Sequence, residues 1–189
     1  MGYLKYLKET WNKQGKEFSE LMNSRLIAWR KEPVMVRIEK PTRIDRARSL
    51  GYKAKPGFVI VRHKMARGGK QRPDIKGGRR TKASRQWLTL DKNYQQLSEE
   101  RVSKRHPNCE VLGSYFLVDD GKHIWHEVIL VDRDNPNVYM NKNTAWARDT
   151  KGKAYRGITS AARKSRGLRR KGTGSEKTRP SLGANKGRH

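Results

Sequence analysis

Positive charge is concentrated in two stretches of this chain, and that concentration decides which residues can share a core. Residues 62–90 hold ten basic side chains against one acidic one, Asp74. Residues 151–189 hold thirteen against one, Glu176. Between them, residues 107–139 carry two basic side chains, Lys122 and Arg133, and six acidic ones. The same middle stretch carries apolar runs such as residues 128–131. Unpaired charge is costly to bury, so the chain reads as a neutral-to-acidic core with two cationic extensions. The formal charge of +27 would repel itself in a compact state unless a polyanion or solvent absorbed it. A polyanionic partner is the leading explanation, since basic side chains release condensed counterions when they meet phosphates. Apolar residues make up 33% of the 189, below the roughly 45–50% of an ordinary globular domain, so the core cannot involve the whole chain.

Local patterns place the elements of that core. Leu4, Leu7 and Trp11 recur at helical spacing, and after a break at Gly15 so do Phe18, Met22, Leu26 and Trp29, up to Pro33. Strands are predicted at 34–39, 57–63, 109–118 and 124–131, each rich in β-branched or aromatic residues. Asp91 is the expected cap of a helix over 92–105, with Tyr94 and Leu97 facing inward and Glu100 supporting Lys104. Four strands plus helices without regular βαβ alternation predict an α+β fold: a small antiparallel four-stranded sheet with packed helices. The expected division is an α+β domain over 1–150, with N-terminal helices and an inserted basic loop at 64–90, and a basic RNA-binding extension over 151–189.

The extensions are too poor in apolar residues to fold alone. Residues 67–80, RGGKQRPDIKGGRR, hold two Gly pairs and Pro73, and residues 173–189 are rich in Gly, Ser and Lys. Neither buries enough surface to offset backbone ordering of about 1–2 kcal/mol per residue. They read as arms that order on RNA, with solvated linkers the plainer alternative. Residues 156–168, RGITSAARKSRGL, form the sharpest candidate site. Thr159 or Ser160 would cap a short helix, Ala161 and Ala162 would leave a face on which a nucleic-acid backbone could lie, and Arg163 and Arg166 would project from one face with Lys164 beside them. A second motif is residues 45–51, DRARSLG. Here Arg46 and Arg48 suit phosphates and Ala47 and Leu50 anchor the segment, although Asp45 could equally form a plain surface ion pair with Arg43 or Arg48.

Other chemistries fit poorly. His106-x-x-Cys109 and His123-x-x-His126 mimic zinc spacing, but residues three apart on a strand point to opposite faces. Cys109 is the only cysteine, which excludes an intrachain disulfide and fits a reducing compartment. KGTGSEKT (171–178) has Lys171 and Glu176 where a phosphate loop requires glycines. Asp119 and Asp120, followed by Gly121, read as turn residues rather than paired catalytic carboxylates. Trp11, Trp29, Trp125 and Trp146 are expected to pack in the body; Trp87, beside the basic loop, either packs or stacks on an unpaired base. The opening MGYLKYLKETW lacks a signal peptide's apolar stretch and has Tyr6 where myristoylation wants Ser or Thr. No apolar run approaches the roughly 20 residues of a membrane span.

Residues 45–58, DRARSLGYKAKPGF, and 156–168 resemble the two signature stretches of the L15e family of large-subunit ribosomal proteins, of archaeal and eukaryotic type. GYLKYLKETW (2–11), RGGKQRP (67–73), VLGSYFLVDDG (111–121) and EVILVD (127–132) follow in the family's order, so the resemblance spans nearly the whole chain. Pro56, where glutamine is the commoner residue, departs from it and bears only on one turn's hydrogen bond. The resemblance implies an α+β domain whose extensions penetrate large-subunit ribosomal RNA in the cytoplasm, beside neighbouring ribosomal proteins, with no catalytic residue. Residues and resemblance together point to a structural constituent of the large subunit. It would bind RNA through Arg46, Arg48, Arg62, Lys64, Arg67, Lys70, Arg72, Lys76, Arg79, Arg80, Lys82, Arg85, Arg156, Arg163, Lys164, Arg166, Arg169, Arg170 and Lys171. No cofactor, metal, membrane or small-molecule substrate is expected. The alternative is a free nucleic-acid-binding protein outside the ribosome; an RNA-processing enzyme has no supporting feature.

Overall fold

A computed structural model describes residues 2–69, 77–78, 90–170, 172–181 and 184. Two helices come first, α1 (Leu4–Lys13) and α2 (Lys16–Lys31), separated at Gly15 as the spacing predicts. Strand β1 (Met35–Ile38), helix α3 (Ile44–Ser49) and strand β2 (Phe58–Ala66) follow. Helix α4 (Tyr94–Arg105) leads into the hairpin of β3 (Cys109–Asp119) and β4 (His123–Asp132). Short helices α5 (Pro136–Tyr139), α6 (Trp146–Asp149) and α7 (Ser160–Ser165) and a 3-10 turn (Glu176–Thr178) complete the described chain.

The strands form one antiparallel sheet in the order β1-β2-β4-β3, as expected for the α+β class. Both faces are covered. On one, Ile60, Trp125, Ile129, Tyr115 and Leu117 pack with Met22, Leu26 and Trp29 of α2 and Ala47 of α3. On the other, Val61, Val128, Leu130 and Val111 pack with Val102 of α4 and with Ala154. A strand buried on both faces has no solvent side to alternate with, hence the unbroken apolar run in β4.

Four expectations need correction. β2 runs three residues past His63, because Lys64, Met65 and Ala66 stay in register with Trp125, Ile124 and His123; the basic loop therefore leaves the sheet after Ala66. The cap of α4 is Asn93, whose side chain accepts from Gln96 N–H at 2.8 Å, whereas Asp91 lies outside the helix at φ +49°. This helix turns Gln96, Ser98, Glu99, Val102 and Ser103 inward, leaving Tyr94 and Leu97 half-buried, and Glu100 pairs with Lys92 rather than Lys104. Its buried face is mostly polar because the sheet supplies partners: Ser98 meets two histidines, and Glu99 accepts from Ser114.

Candidate nucleic-acid interface

Three basic elements surround this body, each held by groups from elsewhere in the chain. The first is α3. Ala47 is fully buried and Leu50 packs against Gly113, so Arg46 and Arg48 on either side are exposed. The entry to α3 is fixed by the buried Glu127 carboxylate, which accepts from the Thr42 N–H and hydroxyl and from the Tyr115 hydroxyl. Burial raises the Glu127 pKa against those bonds and the nearby Arg62. Arg43 lies 4.5 Å from the centre of the Trp11 ring and pairs with Asp45 at 3.4 Å, the plainer reading of that aspartate.

The second element is the stem of the basic loop. Arg67 N–H donates to the Lys122 carbonyl at 2.9 Å, and its guanidinium to Asp119 at 2.8 Å. The Tyr94 hydroxyl accepts from Gly68 N–H and donates to its carbonyl, both at 2.8 Å. Arg67 is exposed at this base. Arg62 and Lys64 are placed otherwise than the charge count suggests. The Arg62 guanidinium is buried, donates to both Glu32 oxygens at 2.9 and 2.7 Å, and lies 4.4 Å from the Trp29 ring centre. Lys64 donates to the carbonyls of Arg30 and Glu32 at 3.0 and 2.8 Å. Both are engaged in holding the end of α2 on β2. Lys70, Arg72, Lys76, Arg79, Arg80, Lys82 and Arg85, together with Trp87 and Lys171, lie outside the described residues.

The third element runs from Gly152 to Arg170. Its base is tethered by the buried Glu110, whose carboxylate accepts from the N–H groups of Gly152 at 2.6 Å and Lys153 at 3.1 Å. Thr159, one of the two caps the sequence offers, caps α7 by accepting from Ala162 N–H at 3.3 Å. The small face is not open, however. Ala161 and Ala162 are buried, the Ala161 carbonyl accepts from the Asn93 side chain, and the Ser165 hydroxyl accepts from Asn93 N–H. Alanines here let α7 approach the start of α4 rather than leave room for nucleic acid. Arg166 folds back, donating to the Gly157 carbonyl at 3.1 Å, while Arg163 and Lys164 are exposed with Arg156, Arg169 and Arg170. Arg163 and Arg166 thus do not act as an outward pair.

Several histidines and acids of the sheet and its hairpin have structural partners. His63 and His126, paired across β2 and β4, place their Nδ1 atoms 3.1 and 3.2 Å from the Ser98 hydroxyl. Burial lowers both pKa values to about 4, helped at His63 by the charge of Arg101. His123 faces Asp120 at the hairpin turn at 3.7 Å, so the two histidines of HIWH do not converge. The Asp120 side chain accepts from Lys122 and His123 N–H, which makes it a turn residue. Asn93, Tyr94 and Glu110 were missed as positioning groups by the sequence reading. Glu110, an acid at the start of an apolar strand, and Asn93, a preferred cap residue three before Gln96, carry local signals of such a role.

Residues 2–185 match the family described as Ribosomal L15. The chain is 49% identical over 188 residues to the large ribosomal subunit protein eL15 of Nanoarchaeum equitans, covering 98% of each chain. It is 48% identical over 183 residues to the protein of the same name from Methanocorpusculum labreanum, covering 96% of this chain and 94% of the relative. The Picrophilus torridus protein of that name is 46% identical over 183 residues, with 95% and 94% covered.

Proposed function

From the chain's membership of the ribosomal L15 family, we propose that it is a structural constituent of the large ribosomal subunit, not an enzyme, which binds ribosomal RNA through its exposed basic elements. The observation that carries the RNA-binding reading is the division of labour among the cations. Arg62, Lys64 and Arg166 are consumed by protein acceptors and Arg169, though exposed, donates to the Ser160 hydroxyl, while Arg46, Arg48, Arg156, Arg163, Lys164 and Arg170 stand exposed on segments anchored from behind. Exposed cations on anchored backbone suit phosphate contacts that position rather than read sequence. Residues 1–150 would set where the loop and the 151–189 extension enter RNA, in the ribosome of the cytoplasm beside neighbouring ribosomal proteins.

The test is co-sedimentation of the tagged protein with large subunits through a high-salt wash. Retention is expected; quantitative release into the soluble fraction, with binding to bulk RNA or DNA intact, would instead favour a free nucleic-acid-binding protein.

A further inference from the structure

Helix α1 buries no side chain completely. It docks through Leu4, Leu7 and Trp11, which are half-buried, with Trp11 edge-on to Phe18 at 4.8 Å and beneath Arg43. At 100° per residue, this seating puts Tyr3, Tyr6, Thr10 and Lys13 together on the adjoining flank. Tyr3 and Tyr6 are 53% and 64% exposed. Arg48 reaches across from α3 to within 5.8 Å of the Tyr3 ring centre, near the outer limit of cation–π attraction. The Thr10 hydroxyl is turned back onto the Tyr6 carbonyl at 3.0 Å and leaves the stripe to the rings.

We propose that Tyr3 and Tyr6, flanked by Arg48 and Lys13, form a stacking site for unpaired bases of single-stranded RNA, distinct from the basic loop and the C-terminal extension. The proposal rests on the reading of the chain as an RNA binder. Aromatic faces accept any base, and neighbouring cations hold the backbone between bases. The composition of the stripe favours this occupant over an apolar protein surface: the aliphatic residues of α1 turn inward, and the outer flank offers only rings, a hydroxyl and a cation. Glu9, the acid of this helix, pairs with Lys5 at 4.0 Å. An A-form duplex presents backbone but no open base face, so this site should distinguish the two forms of RNA.

The experiment measures binding of the full chain to a labelled decaadenylate and to an A-form RNA duplex, across a salt series. The double variant Tyr3→Leu/Tyr6→Leu keeps apolar bulk and helix propensity but removes the rings. It should bind the decaadenylate roughly tenfold more weakly, with an unchanged slope of log affinity against log salt, since no phosphate partner is lost. Duplex binding should stay within about twofold, because stacking contributes only where bases are unpaired. Tyr3→Phe/Tyr6→Phe should recover the decaadenylate affinity. The single Tyr6→Leu variant, at the more exposed ring, should show a smaller loss of the same kind and serves if the double variant fails to unfold at the wild-type midpoint. Unchanged decaadenylate binding in the Leu variants, or equal weakening on duplex and single strand, would overturn the stacking site alone. A wild-type chain that binds neither RNA would instead overturn the RNA-binding reading beneath it.

Discussion

A buried histidine pair links single residues to acid sensitivity. An unfolded imidazole titrates near 6.5, whereas His63 and His126 titrate at about 4 in the fold. Between those values the unfolded chain binds more protons, so acid favours unfolding. The histidine contribution is fully present above pH 6.5 and is lost as pH falls towards 4. Each should cost on the order of 1–2 kcal/mol between pH 7 and pH 5. Buried Glu99 and Glu127 act oppositely, since their raised pKa values make the folded carboxyls bind protons more readily. The histidine part is therefore read as a difference: urea unfolding of a His126→Asn variant should depend less steeply on pH over this window than wild type. Equal pH dependence would show that His126 is not the sensitive group. Gly57 is a second single-residue constraint. It has φ +92°, and an added Cβ would come within 2.8 Å of the Asn135 and Val138 side chains. Gly57→Ala should lower stability by about 1–3 kcal/mol, measured by thermal unfolding.

At the scale of elements, capping and packing in α7 divide a basic segment into buried and exposed parts. Thr159 and the buried Ala161–Ala162 face fix the helix, and Arg166 closes it onto Gly157. Arg163 and Lys164 remain exposed, as the proposed contact with a polyanion requires. Neutralising that exposed pair, Arg163→Gln/Lys164→Gln, should leave the unfolding midpoint unchanged. The same change should lower the slope of log RNA affinity against log salt by about 1.5. Arg166→Gln should instead loosen the turn, visible as faster amide exchange over residues 157–167. An unchanged slope in the double variant would remove α7 from the interface.

Across the whole molecule, charge is sorted by depth. Three acids of the 107–139 stretch clamp stems: Glu110 holds the start of the extension, Glu127 holds the entry to α3, and Asp119 holds Arg67. These carboxylates hold the backbone at the base of the described basic segments. Glu110→Gln, which keeps the shape but removes the charge, should speed amide exchange over residues 152–165 while β3 and β4 stay protected. Uniform protection in the variant would mean the extension is held by its apolar contacts, such as Ala154, alone.

The four strands, the paired N-terminal helices, a cap at Thr159 or Ser160 and the exposed Arg46 and Arg48 were legible in the sequence, because periodicity, β-branching and capping act over a few residues. The family was legible too, in signature stretches spread along the chain. Other assignments needed partners from far along the chain. Arg62 turns inward because Glu32, 30 residues earlier, meets it. Gly152 is held by a carboxylate 42 residues away. The inward face of α4 is polar because Ser114 and the two histidines converge on it from the sheet. The sequence alone determined where the strands and the N-terminal helices lie and how much cation the chain carries. Only the tertiary structure decided which cations remain for a partner, because a buried charge or hydroxyl is stable only where a distant segment brings its complement within hydrogen-bonding reach.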